Sequence, residues 1–387
     1  MTARTTTMGR AIPRVALIAV SVCFALAVGE AAARLLGVPR APVSGWRAVD
    51  GSAAETNQLG YRGQPVDYAD DDFVVVLVGD SQVEAKACAY EWMPERRLQF
   101  YLNAAGRKVK VFSVGASGYG QDQELLALRE YFGKFRADLV VLWETPLNDI
   151  WNNVFPTSWP ANGTSKPTFW LDHGRLVGPS EGIGEPIAET PRLKLTLMLR
   201  KNFVHWSRDE IWESRYPPAY QPLAASDGPA EGDWQTWCDT NGRGMRDENL
   251  ATEKTHLAMF LTPRSPRMQY GLDLTRALMR EMEGLATSRG ARFIAFAVDN
   301  PESEEGRHGE GVHALNGKFY RSSIAQYREN LSYWNEGFDF RLVPVTLQPS
   351  KVGPENPHLN EHATDQVMKD LAEGLEGYVT VKQGRLR

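Results

Sequence analysis

Five short apolar runs alternate along this chain with helical stretches, and nothing else in the sequence constrains the fold as much. The runs cover 74–78, 109–114, 138–143, 292–298 and 340–345. They are rich in Val, Ile and Phe, and they read as strands buried on both faces rather than as helices. Between them lie helical patterns. Residues 94–105 open on Pro94 and stop before Gly106, the usual order of these two residues at helix ends. Residues 121–132 carry Leu125, Leu128 and Phe132 on one face, 272–288 run amphipathically up to Gly290, and 361–378 close the chain. Alternating strands and helices imply a parallel sheet with helices on both faces. In such sheets ligands bind outside the carboxyl ends of the strands.

The flanking segments do not share this pattern. Arg4, Arg10 and Arg14 precede an apolar run over 15–29, which Glu30 and Arg34 end. A basic start and an apolar run of that size form an export signal. Residues 1–37 are therefore expected to be a signal anchor or a signal peptide, a transmembrane or signal helix. Residues 38–72, rich in Pro, Gly, Ser and Asp, read as a linker, and 73–380 as one catalytic-type domain. Within it, 151–265 breaks the alternation and holds Trp151, Trp159, Trp170, Trp206, Trp212, Trp234 and Trp237, so it reads as an insertion. The formal net charge of −5 gives no case for nucleic acid as partner. An oxidising compartment would allow Cys88 and Cys238 to pair.

Each strand end delivers a polar group. The first ends in Gly79-Asp80-Ser81, the second in Gly115-Ala116-Ser117-Gly118-Tyr119-Gly120, and the third in Glu144-Thr145-Pro146-Leu147-Asn148-Asp149. Glu355-Asn356-Pro357-His358 precedes the last helix. A serine hydroxyl becomes a nucleophile beside a base, and histidine titrates near neutral pH. An acid on the second ring nitrogen fixes its tautomer. Attack on an ester carbonyl makes an oxyanion, which waiting N–H donors stabilise. His308 and His313 show no ligand spacing and read as loop residues, so no metal site and no cofactor is expected. Asp80 reads as a brace for the turn.

Taken in order, these four blocks resemble those of the SGNH hydrolases, the GDSL esterase/lipase superfamily. The resemblance covers roughly 73–150 and 270–378. It implies a three-layer α/β/α sandwich with a parallel, flavodoxin-like sheet. It implies Ser81 as nucleophile, His358 as general base, and an oxyanion hole from the Ser81 and Gly118 N–H groups and the Asn148 side chain. Two positions depart from the family pattern. Pro146 stands where the third block has Gly, and Glu355 stands where the last has Asp. Glu355 is the expected third member, with Asp339 and Asp365 as lesser stand-ins. Trp151, just past the third block, is the candidate substrate contact, while most of the tryptophans are read as packing.

The implied activity is hydrolysis of an ester through an acyl-enzyme. The substrate would be a small-molecule or carbohydrate ester, such as an O-acetylated envelope polysaccharide. The implied place is the bacterial inner membrane, single-pass with the domain on the periplasmic side, or secretion. Two other readings use the same residues: an O-acyltransferase that passes the acyl group to a polysaccharide hydroxyl, and a binding module without activity.

Overall fold

The computed structural model describes residues 8–35, 55–104, 106–157, 166–180, 232–233, 248–299, 311–315, 318–353 and 356–379. In chain order the elements are α1 (Met8–Leu35), β1 (Phe73–Gly79), α2 (Ser81–Glu84), α3 (Pro94–Asn103), β2 (Val109–Gly115), α4 (Gln121–Phe132), β3 (Leu139–Glu144), α5 (Asp149–Val154), β4 (Thr168–Asp172) and β5 (Arg175–Ser180). They continue with α6 (Pro266–Ser288), β6 (Arg292–Asp299), β7 (Gly311–Leu315), β8 (Lys318–Ser322), α7 (Ile324–Asn335), β9 (Phe340–Pro344), β10 (Lys351–Gly353), β11 (Asn356–Leu359) and α8 (Glu361–Gly374).

The central sheet has the order β9-β6-β3-β1-β2, and every neighbouring pair is parallel. Side chains alternate across it, as strand geometry requires. Val74, Val76 and Val78 enter one core with Phe112, Val140, Leu142 and residues of α4, α5 and α6. Val75 and Leu77 enter the other, with Val111, Val141, Trp143, Leu98 of α3 and Val367 and Leu371 of α8. This is the three-layer α/β/α sandwich with a flavodoxin-like strand order. The order reverses between β1 and β3, and at that switch point the strand ends part into a crevice.

Several elements differ from the sequence reading. α6 begins at Pro266, where Ser265 caps it by accepting the Met268 N–H at 2.9 Å. Gly271 hid this first turn from a pattern search, because glycine is a poor helix former. α7 was not foreseen. Its buried residues Tyr327, Leu331 and Trp334 have helical spacing, but they are diluted by polar neighbours. His313, expected in a loop, lies on β7 with Nε2 3.2 Å from Ser322 Oγ, and His308 lies outside the described residues. The 151–265 segment contributes α5 and the β4–β5 hairpin. Cys88 is a buried free thiol, and Cys238 lies outside the described residues.

The amino-terminal segment is helical as expected. Leu17, Ile18, Val20, Val22, Phe24, Leu26 and Val28 are each at least half exposed. At 100° per residue these positions fall on every side of α1. Among the described residues, however, no helix is long and apolar enough to cross a membrane. The transmembrane character expected of residues 1–37 is therefore not found among the described residues.

Candidate active site

The site is assembled at the carboxyl ends of β1, β2 and β3. A Cβ added to Gly79 would lie 2.6 Å from Val83 Cγ2, and one added to Gly115 would lie 2.6 Å from the Gly79 carbonyl oxygen. Both distances are well inside van der Waals contact, so only glycine lets α2 rest directly on the ends of the strands.

Asp80 joins the blocks. It is fully buried and caps α2, with Oδ1 accepting the Gln82 N–H at 2.9 Å. The same oxygen accepts the Thr145 hydroxyl at 3.1 Å, and Oδ2 accepts the Asn148 Nδ2–H at 3.1 Å. One carboxylate thus fastens the β1 turn to the β3 turn. Burial pushes the Asp80 carboxyl above its ordinary range, against the hydrogen bonds from Gln82, Asn148 and Thr145 and the nearby His358.

Ser81 is the first residue of α2, and its Oγ lies 3.4 Å from Asp80 Oδ2. His358 lies on β11 alongside α2, where the Leu359 N–H reaches Gln82 Oε1 at 3.4 Å. Its ring Nδ1 is 2.5 Å from Asn356 Oδ1, leaving Nε2 as the nitrogen for base chemistry. Ser81 and His358 are brought to adjacent elements, but no hydrogen bond joins them. Such contacts are often open until substrate binds.

Among the described residues, the backbone N–H groups of Ser81 and Gly118 have no acceptor in the protein. Gly118 has a φ of +76°, a left-handed conformation that favours glycine. The preceding Ser117 donates both its N–H (2.9 Å) and its hydroxyl to Glu84 Oε2, which ties the Gly118 turn to α2. One Asn148 amide hydrogen goes to Asp80, and Nδ2 carries a second. The three expected oxyanion donors therefore stand on three strand ends held together by Asp80 and Glu84.

Other expected residues fall elsewhere. Trp151 is only 2% exposed and donates its indole N–H to the Leu147 carbonyl at 3.0 Å. It packs edge-on to His256, as part of the core rather than a surface for ligand, because a large ring so near the strand ends is the piece that fills them. Glu355 lies outside the described residues. Of its stand-ins, Asp365 accepts from Arg97 and from the Tyr101 hydroxyl at 2.9 Å, and Asp339 accepts from the Tyr378 hydroxyl. Neither is bonded to His358. Sequence reading missed Glu84, Thr145 and Asn356. Only Asn356 had a signal, since an Asn two residues before another commonly accepts that residue's N–H.

A layer of buried acids backs the site. Asp149 Oδ2 accepts the Thr145 N–H at 2.8 Å and the Gln121 Nε2–H at 2.6 Å, which fixes the β3 turn on α4. Burial, and then the charge of Asp80, holds Asp149 well above its ordinary range. Glu124 is fully buried and neither of its oxygens is hydrogen-bonded. Burial first, then Asp149, Asp80, Asp122 and Glu144, pushes it well above the usual carboxylate range.

No protein-family model and no curated protein matches this sequence. Solved structures do. A lipase/acylhydrolase from Enterococcus faecalis matches with TM-score 0.37 and 10% identity over 80% of this chain and 99% of its own. A putative arylesterase from Agrobacterium tumefaciens matches with TM-score 0.36 and 14% identity over 79% and 100%. A carbohydrate acetylesterase family member from Sinorhizobium meliloti matches with TM-score 0.30 and 12% identity over 79% and 98%. All three carry names of ester hydrolysis. In its strand order and its ordered blocks, this chain resembles the SGNH hydrolases. At TM-scores this low the likenesses themselves carry no weight, and the case rests on the residues.

Proposed function

We propose that this chain is a serine esterase of the SGNH type. The observation that carries the reading is the gathering of Ser81, Asn148 and His358 around one buried carboxylate, Asp80. His358 Nε2 takes the Ser81 proton as Oγ bonds to the ester carbonyl carbon. The resulting oxyanion is held by the Ser81 and Gly118 N–H groups and by Asn148. Collapse breaks the ester C–O bond, and the leaving alcohol takes the proton back from His358. Water, deprotonated by His358, then attacks the acyl-Ser81 carbonyl and releases the acid.

The substrate proposed is an O-acylated molecule outside the cytoplasm, with O-acetyl carbohydrate as the leading class. The basic start and apolar α1 support export. The test is labelling of the full chain in detergent with a fluorophosphonate probe, alongside hydrolysis of p-nitrophenyl acetate with and without an acceptor oligosaccharide. Labelling and hydrolysis that vanish together in Ser81→Ala support the esterase. Acyl transfer to the oligosaccharide that outpaces hydrolysis replaces it with a transferase, and an unlabelled wild-type chain removes both.

A further inference from the structure

The residue expected to orient the histidine was an acid three positions before it, Glu355. The geometry points to a different one: we infer that Asn356, a neutral amide, is the positioning residue of His358. This rests on the esterase reading above and concerns how its base is held.

Two contacts carry it. Asn356 Oδ1 lies 2.5 Å from His358 Nδ1, and the same oxygen accepts the His358 backbone N–H at 3.2 Å. A single amide oxygen therefore grips both the backbone and the ring of the histidine. A carbonyl oxygen can only accept, so Nδ1 must donate, and the lone pair is left on Nε2. That is the tautomer a base facing Ser81 requires.

The backbone makes this contact durable. Asn356 and His358 are both on β11, which pairs with β10 through Lys351 opposite Leu359 and Gly353 opposite Asn356. Next along the chain, Asn360 accepts the Ala363 N–H at 2.9 Å to cap α8, and it donates Nδ2–H to the Pro349 carbonyl at 2.6 Å. The strand carrying His358 is thus fixed at both ends. The side chain two residues before the ring lies on the same face of the strand, which is what lets Asn356 reach it.

A neutral partner differs from a carboxylate in one respect. It fixes the ring and its tautomer, but it adds no negative charge to stabilise the imidazolium. The charged groups on neighbouring elements are Asp80 at the β1 corner, Lys351 on β10 and Glu361 at the start of α8, whose carboxylate accepts the Ala89 N–H at 2.7 Å. All three are unchanged by substitution at 356, so a shift in pH profile reads that position alone.

The experiment uses the full chain and compares Asn356→Ala, Asn356→Asp and Glu355→Gln in p-nitrophenyl acetate hydrolysis across pH 5 to 9. Asn356→Ala is expected to lose about 10- to 100-fold in kcat with KM little changed, the size of effect that partners orienting a functional histidine produce. Asn356→Asp keeps the acceptor, so it folds as the wild type does. It is expected to move the acid limb of kcat/KM upward by about one pH unit, because an adjacent negative charge favours the imidazolium. Glu355→Gln stays within about twofold of wild type on this reading. The inference is overturned if Asn356→Ala retains wild-type kcat, if the Asn356→Asp profile superimposes on that of the wild type, or if Glu355→Gln alone carries the loss. Failure of the esterase reading looks different: wild-type activity then survives Ser81→Ala.

Discussion

Replacing Glu144 by Gln makes this protein more stable at neutral pH, and increasingly so as the pH rises. Glu144 ends β3, is 1% exposed and accepts one hydrogen bond, from Asn335 Nδ2 at 3.0 Å, on Oε2. Its Oε1 has no partner. Burial pushes the carboxyl from 4.5 up to about 8 against the single Asn335 bond. The folded chain therefore holds this proton at pH 7, and the unfolded chain does not. Where the folded state binds more protons, stability falls as pH rises, here from about pH 4.5 until the folded group itself ionises near pH 8.

Relative to a permanently neutral isostere, the difference is about 1.4 kcal/mol for each pH unit above 4.5, or about 3 kcal/mol at pH 7 and below about 1 kcal/mol at pH 5. Gln keeps the acceptor for Asn335 and cannot ionise. The other raised carboxyls, such as Glu95, pushed to about 7, are common to both proteins and cancel in the comparison. Urea unfolding followed by tryptophan fluorescence at pH 5, 6, 7 and 8 gives the test. The advantage of Glu144→Gln should grow steadily across the series. An advantage that stays constant with pH, or that shrinks, refutes a buried proton on Glu144.

Other substitutions probe the site and its supports. Asp80→Ala strands the Gln82 N–H, the Thr145 hydroxyl and the Asn148 amide, so the melting temperature should fall by an amount equivalent to about 3 kcal/mol, and ester hydrolysis should fall with it. Gly118→Ala puts a side chain at a φ of +76°, and about 1–2 kcal/mol of destabilisation should appear in denaturant titration. Trp151→Phe leaves a cavity and an unpaired Leu147 carbonyl, so stability should drop by about 1–3 kcal/mol while KM of the folded fraction holds; a large rise in KM with stability intact would restore the ring to substrate binding.

Much of this protein was determined by local chemistry, and that part was legible in the sequence. Short apolar runs rich in Val, Ile and Phe, alternating with helical patterns, read as strands of a parallel sheet, so β1, β2, β3, β6 and β9 appeared at their places within a residue or two. α4 appeared at its observed bounds because its apolar residues recur at helical spacing. The polar groups at the strand ends followed, since a parallel sheet brings its carboxyl ends to one edge. The α7 helix and the β7–β8 and β10–β11 hairpins were not legible, because they are stabilised by packing and pairing with distant segments rather than by a pattern of their own. Contacts between residues far apart in sequence were decided only by the folded chain: Asp80 with Asn148, Glu84 with Ser117, and Trp151 with His256 in the core. The same holds for the partner of His358. The sequence offers an acid and an amide side by side at 355 and 356, and the folded strand sets the amide oxygen against the His358 ring.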